Sequence, residues 1–96
     1  MNIIKTNFKA KFDNGNSFII YIAKTHEEAN EIHKIHMANK SILPDGWYYS
    51  VQTVSVQKDC RIPEFFHDKD YFATIITYNK GDWHDKNTTY ELYIVE

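Results

Sequence analysis

Ninety-six residues with 43 % apolar and 25 % charged side chains suit one packed domain over 1–96 and exclude a disordered chain. A formal net charge of −2 excludes a strongly basic nucleic-acid binder and an acidic nucleic-acid mimic alike. Cys60, the single cysteine, excludes an intramolecular disulfide and fits a reducing, cytoplasmic setting.

Residues 3–12 alternate as a strand, with Ile4, Phe8, Ala10 and Phe12 on one face and Lys5, Asn7, Lys9 and Lys11 on the other. This opening has neither the apolar run of a signal peptide nor that of a membrane span, and no membrane partner is expected. Asn14-Gly15 within Asp13-Asn14-Gly15-Asn16 signals a tight hairpin, because both central residues of a type I′ turn need positive φ. Residues 17–24 return as a second strand, apolar on both faces and therefore expected inside the sheet. Thr25 and Glu28 have the spacing of a capping box, and a helix over 26–39 is predicted. Pro44-Asp45-Gly46 is a turn, and residues 47–57 are a β-branched and aromatic third strand.

Residues 58–70 lack a clean period and contain Pro63. They read as a long connection that is either functional or packed down by Ile62, Phe65 and Phe66. Residues 71–78 and 88–95 are the fourth and fifth strands, joined by a wide polar hairpin. The order β-β-α-β-β-β predicts an α+β two-layer fold, one helix packed on a mostly antiparallel sheet.

The helix carries HEEANEIHKIH, with three of the five histidines. At 100° per residue, Ala29, Ile32 and His36 share the inward arc, with Ile35 and His33 at its flanks; Glu27, Glu31 and Lys34 face water. His33 and His36, three apart, point the same general way, as shared metal ligands must. Asn30 stands where a zincin helix needs its second histidine, and one cysteine cannot build a structural zinc site. His36 therefore reads as a core histidine hydrogen-bonded to the sheet. No metal or other cofactor is expected.

Gly15, Gly46 and Gly81 each have a turn to make, which leaves none for a phosphate-cradling loop. Cys60 and His67 share the long connection, but a dyad also needs an orienting group and an oxyanion site, and Cys60 reads as a small buried residue. No enzymatic activity is expected. Lys5, Lys9 and Lys11 form a basic stripe that could grip a nucleic-acid backbone; a solvated or edge-guarding strand face is the simpler reading.

The most informative excess is aromatic: seven tyrosines, six phenylalanines and two tryptophans. One helix cannot cover both faces of a five-stranded sheet. Some rings must then meet a second copy, a partner protein or the 58–70 connection. Tyr21, Tyr49, Tyr78, Tyr90 and Tyr93 in strands, with Trp83 in the fourth-to-fifth loop, are the expected contact residues, since tyrosine and tryptophan bury much area at little entropic cost. The composition, rich in Asn, Ile, Lys, Tyr and Phe, is that of an AT-rich genome. The expected function is a small non-enzymatic protein-binding module of phage or mobile-element type that inhibits or modulates a host or defence protein through a tyrosine-rich sheet face or edge, with pairing to a second copy as a further expectation. The alternatives are nucleic-acid binding through the lysine stripe and a small metal-dependent enzyme using His33 and His36.

Overall fold

The computed structural model describes residues 2–9, 16–39, 48–57, 59–79 and 89–96. They contain strands β1 (Ile3–Lys5), β2 (Ser17–Ala23), β3 (Tyr48–Ser55), β4 (Phe72–Asn79) and β5 (Tyr90–Val95), with helix α1 (His26–Asn39) between β2 and β3. One turn of 3-10 helix, Glu64–Phe66, lies between β3 and β4. This is the expected α+β fold, one helix on a five-stranded sheet, and the chain order is β-β-α-β-β-β as predicted. The Asp13-Asn14-Gly15 turn, the Pro44-Asp45-Gly46 turn and the loop holding Gly81 and Trp83 lie outside the described residues, as do Ala10, Lys11 and Phe12.

α1 begins where the capping box places it. The Glu28 N–H donates to Thr25 Oγ1 at 3.2 Å, satisfying one of the orphan donors of the first turn. The Thr25 hydroxyl donates in turn to the Glu28 carboxylate at 2.9 Å. Glu27 and Glu28 in the first turn suit the helix dipole.

The sheet order is β1-β5-β2-β4-β3. β2 lies at its centre, antiparallel to β4 and parallel to β5; β1–β5 and β3–β4 are antiparallel. The central place of β2 follows from its apolar residues on both faces. Two expected hairpins are corrected. β5 separates β1 from β2, and β2 separates β4 from β5. Turn residues specify that the chain reverses, but the strand that fills a slot is chosen by its side chains. Beside β2, β5 sets Leu92 against Ile20 and Tyr93 against Tyr21.

The first strand is also shorter than its alternation suggested. Pairing with β5 continues only to Thr6, whose N–H and hydroxyl both donate to the Leu92 carbonyl at 2.9 Å. Thr6 Oγ1 then accepts the Phe8 N–H at 3.4 Å, a local turn that competes with the ladder. Phe8 leaves the sheet and packs on Phe66, ring centroids 5.5 Å apart.

Both faces carry a core. Under α1, Ala29 and Ile32 pack with Ala23 and Val95, flanked by Tyr21 and Phe72. The Thr74 hydroxyl, fully buried, donates to the Ala29 carbonyl and ties helix to sheet. The larger core lies on the reverse face, where Phe18, Ile20, Ile22, Ala73, Ile75 and Leu92 meet Val56, Ile62 and Phe66. The 58–70 connection is thus the second cover layer, as one of the sequence readings allowed.

Polar groups hold that connection in place. Asp59 accepts the Arg61 N–H at 2.9 Å and both Nε and Nη2 of its guanidinium at 3.1 and 2.8 Å. His67 Nε2 lies 2.8 Å from the Ile62 carbonyl and 3.2 Å from that of Asp59, and the Tyr90 hydroxyl donates to the Arg61 carbonyl at 2.8 Å. Cys60 is exposed, which corrects the buried placement expected of it. It sits in the turn closed by the Ile62 N–H to the Asp59 carbonyl, where Ile62 takes the inward position.

Phe65 and Phe66 are neighbours with opposite environments, 64 % and 2 % exposed. Phe66→Ala is expected to cost about 3–5 kcal/mol in urea unfolding and Phe65→Ala less than about 1 kcal/mol. Equal losses would show that the connection is not a core layer.

Candidate protein interface

Alternation along the strands divides the tyrosines between the two faces. Odd-numbered positions of β2, β3 and β5 and even-numbered positions of β4 face α1, because Thr74 and Thr53 touch the helix and the registers carry that parity across the sheet. Tyr21, Tyr49, Tyr78 and Tyr93 therefore share the helix side. Tyr90 lies on the reverse face, where its ring joins the larger core.

The four form two cross-strand pairs. Tyr93 registers opposite Tyr21 and stacks on it, centroids 5.2 Å apart at 19°. Tyr78 registers opposite Tyr49. All four rings are half-buried. α1 covers the face over β2, β3 and β4, and its last turns bring His36 onto the tyrosines. The His36 ring lies 5.5 Å from that of Tyr21, and its Nδ1 is 3.3 Å from the Tyr49 hydroxyl.

Ile35 and Met37 flank His36, one on each side of the helix at 100° per residue, and are 63 % and 42 % exposed. An apolar rim thus borders the tyrosine-bearing face. Sequence reasoning placed Ile35 at the edge of the inward arc and did not single out Met37. The available signal was that both apolar side chains fall outside the Ala29–Ile32–His36 arc.

Two of these hydroxyls, those of Tyr49 and Tyr93, have defined partners. Tyr93 donates to Glu91 at 2.8 Å, and Lys5, opposite Tyr93 on β1, brings its ammonium to 3.7 Å from the same carboxylate. The bond to Glu91, with smaller contributions from burial and the neighbouring charge, pushes the Tyr93 phenol up to about 12. Burial, then the Glu91 charge, raises Tyr21; burial, then Tyr21, raises Tyr49. On the other face, burial and then Asp59 push Tyr90 up to about 12. These phenols are hydrogen-bonding groups at neutral pH and carry no charge there.

The two histidines diverge in their contacts. His33 Nδ1 is 2.9 Å from the Thr53 hydroxyl on β3, whereas His36 is directed to Tyr49. Among the described residues no three His, Cys, Asp or Glu side chains converge as a metal site would require. His36 bonds to the sheet as the helical spacing indicated, and so does His33, which that spacing set at the flank of the inward arc. The lysine stripe lacks its expected support, since β1 ends at Lys5 and Lys9 is not on the strand; Lys5 is paired with an acid and Lys11 lies outside the described residues. On the reverse face, a concavity of about 330 Å³ is lined by Ser50, Gln52, Thr77 and Arg61. The Arg61 guanidinium there is committed to Asp59 and, through Nη1 at 2.8 Å, to Gln52.

No helix among the described residues is long and apolar enough to cross a membrane. No protein-family model, curated protein or solved structure matches the chain.

Burial holds the His36 imidazole below its ordinary range. A depressed histidine favours the neutral form in the folded state, so the unfolded chain binds more protons between the two pKa values. Stability from this residue is full above the unfolded value of about 6.5 and falls as pH drops from there toward the folded value. The melting temperature is expected to decline between pH 7 and 5.5, and less steeply in His36→Gln. Parallel profiles for the two proteins would refute this role.

Proposed function

We propose that this chain is a non-enzymatic protein-binding domain whose docking surface is the tyrosine-bearing sheet face beside the last turns of α1. The observation that supports this reading is the pairing of Tyr21 with Tyr93 and of Tyr49 with Tyr78 on one half-covered face, bordered by exposed Ile35 and Met37. Half-buried tyrosines held by neighbours are pre-ordered, so a partner that buries them removes apolar area from water at little further entropic cost. An apolar centre with Glu91 and Lys5 at the rim has the layout of a protein interface.

The partner class follows from composition and is part of the proposal. A small cytoplasmic accessory protein of phage or mobile-element type would use this face to inhibit or modulate a host or defence protein. Trp83, outside the described residues, remains a proposed contact because tryptophan is enriched among interface residues that dominate binding energy.

Affinity capture with the tagged chain tests the surface. Wild type should retain a stoichiometric partner, and Ile35→Glu or Tyr93→Ala should weaken it by at least about tenfold, the scale of a hot-spot residue. Phe65→Glu, on the reverse face, should retain it. A partner held equally by all four proteins, or lost only with Phe65→Glu, would place the interface elsewhere.

A further inference from the structure

The two edges of the sheet differ. β1 is three residues long and carries Lys5, and a short strand with a lysine is a common way of discouraging edge-to-edge pairing. β3 is eight residues, YYSVQTVS, with no charge and no proline in a chain that is 25 % charged. Its register with β4 runs from Tyr48↔Asn79 to Ser55↔Phe72 without a skip, so no bulge turns the edge aside. Among the described residues no strand pairs with its outer side.

The direction of its backbone groups follows from one hydrogen bond. The Val56 N–H donates to the Tyr71 carbonyl at 3.1 Å, and these two residues continue the β3–β4 register. Hydrogen-bonded and non-bonded pairs alternate in an antiparallel ladder. Even-numbered residues of β3 therefore bond to β4, and Tyr49, Val51, Thr53 and Ser55 present their N–H and C=O groups outward. The side chains of Tyr49 and Thr53 are held from above by His36 and His33, which keeps this edge in place.

We propose that the outer edge of β3 pairs antiparallel with β3 of a second copy of this chain, about a two-fold axis at Val51 or Gln52, forming a ten-stranded sheet. Directly opposed residues in an antiparallel pair point to the same side of the sheet. Both axes oppose odd residues to odd residues: Tyr49 to Thr53 about Val51, or Tyr49 to Ser55 and Val51 to Thr53 about Gln52. About Gln52 the outward groups of Tyr49, Val51, Thr53 and Ser55 all find partners within β3; about Val51 those of Tyr49, Val51 and Thr53 do. With either axis both helices stay on one side. The strand is thus complementary to itself, and no like charges meet because β3 carries none.

A strand of this length spans roughly 27 Å, so the pairing and its flanking side chains make an interface near the small end of specific ones. Met37, which lies on the same side of α1 as His33 and hence toward β3, is exposed where a second helix would approach. This pairing draws Tyr49 and Met37 toward the seam, leaves Tyr21, Tyr78, Tyr93 and Ile35 to a separate partner, and does not depend on that reading.

The test is the mass of the protein in solution across roughly 1 μM to 1 mM, the range that brackets interfaces of this size, together with residue-level hydrogen exchange. The expected result is a reversible dimer. In it the amides of Tyr49, Val51 and Thr53 are protected, joined by Ser55 for the axis at Gln52, and they lose protection on dilution while the even-numbered amides of β3 do not. Val51→Pro removes an outward N–H that β4 does not use, a position where an edge strand tolerates proline. It should be monomeric with an unchanged far-ultraviolet spectrum, and Val51→Thr should remain dimeric. If Val51→Pro fails to fold, the exchange pattern of the wild type decides alone. A monomer at 1 mM, a dimer whose outward amides exchange freely, or a folded Val51→Pro dimer would overturn the proposal. Because Ile35→Glu leaves the β3 backbone untouched, loss of partner capture and loss of dimerisation are separate readouts.

Discussion

A five-stranded sheet whose strands are apolar at both parities must be covered twice, and the described residues hold one α-helix with which to do it. Everything else in the structure answers that constraint. β2 places Phe18, Ile20 and Ile22 on one side and Ile19, Tyr21 and Ala23 on the other, so neither face can be left to water. The helix takes one face with Ala29 and Ile32, and the connection takes the other with Ile62 and Phe66. Burial of aliphatic and aromatic side chains at both levels is what offsets the entropy of ordering so short a chain.

The two covers are unequal. The connection is pinned by Asp59, Arg61, His67 and the Tyr90 hydroxyl, and it closes the reverse face over a contiguous set of strand residues. The helix closes its own face fully near Thr74 and Ala23, but four tyrosines of that face remain half-exposed. An aromatic ring with a hydroxyl suits such a boundary, since its body packs while its polar tip finds a partner or water. His36 marks the transition: it is packed on Tyr21 and bonded to Tyr49, with exposed apolar neighbours at 35 and 37.

The edges follow the same logic of uneven cover. Placing β1 beside β5 ends the sheet on one side with a short strand whose Lys5 is anchored by Glu91. On the other side it ends with β3, whose length and neutrality leave outward backbone groups on alternate residues. The hairpins expected from the turns leave the edge strands undecided, so strand order governs which surface a second chain would meet.

Local pattern determined much of this protein by itself. The helix over 26–39, its cap at Thr25 and Glu28, the inward arc of Ala29, Ile32 and His36, and the central character of β2 were all legible, because each depends on neighbours within a few residues. Strand partners were not. Alternation names the faces of a strand without naming the strand beside it, so the hairpins read from Asn14-Gly15 and from the loop before β5 gave way to β1-β5-β2-β4-β3. Thr6 ended the first strand early through its own hydroxyl, and with it the geometry of the lysine stripe. Only the tertiary structure decided that Tyr21, Tyr49, Tyr78 and Tyr93 share a face while Tyr90 serves the opposite core. That division depends on register between strands distant in sequence, which is set by how all their side chains pack at once.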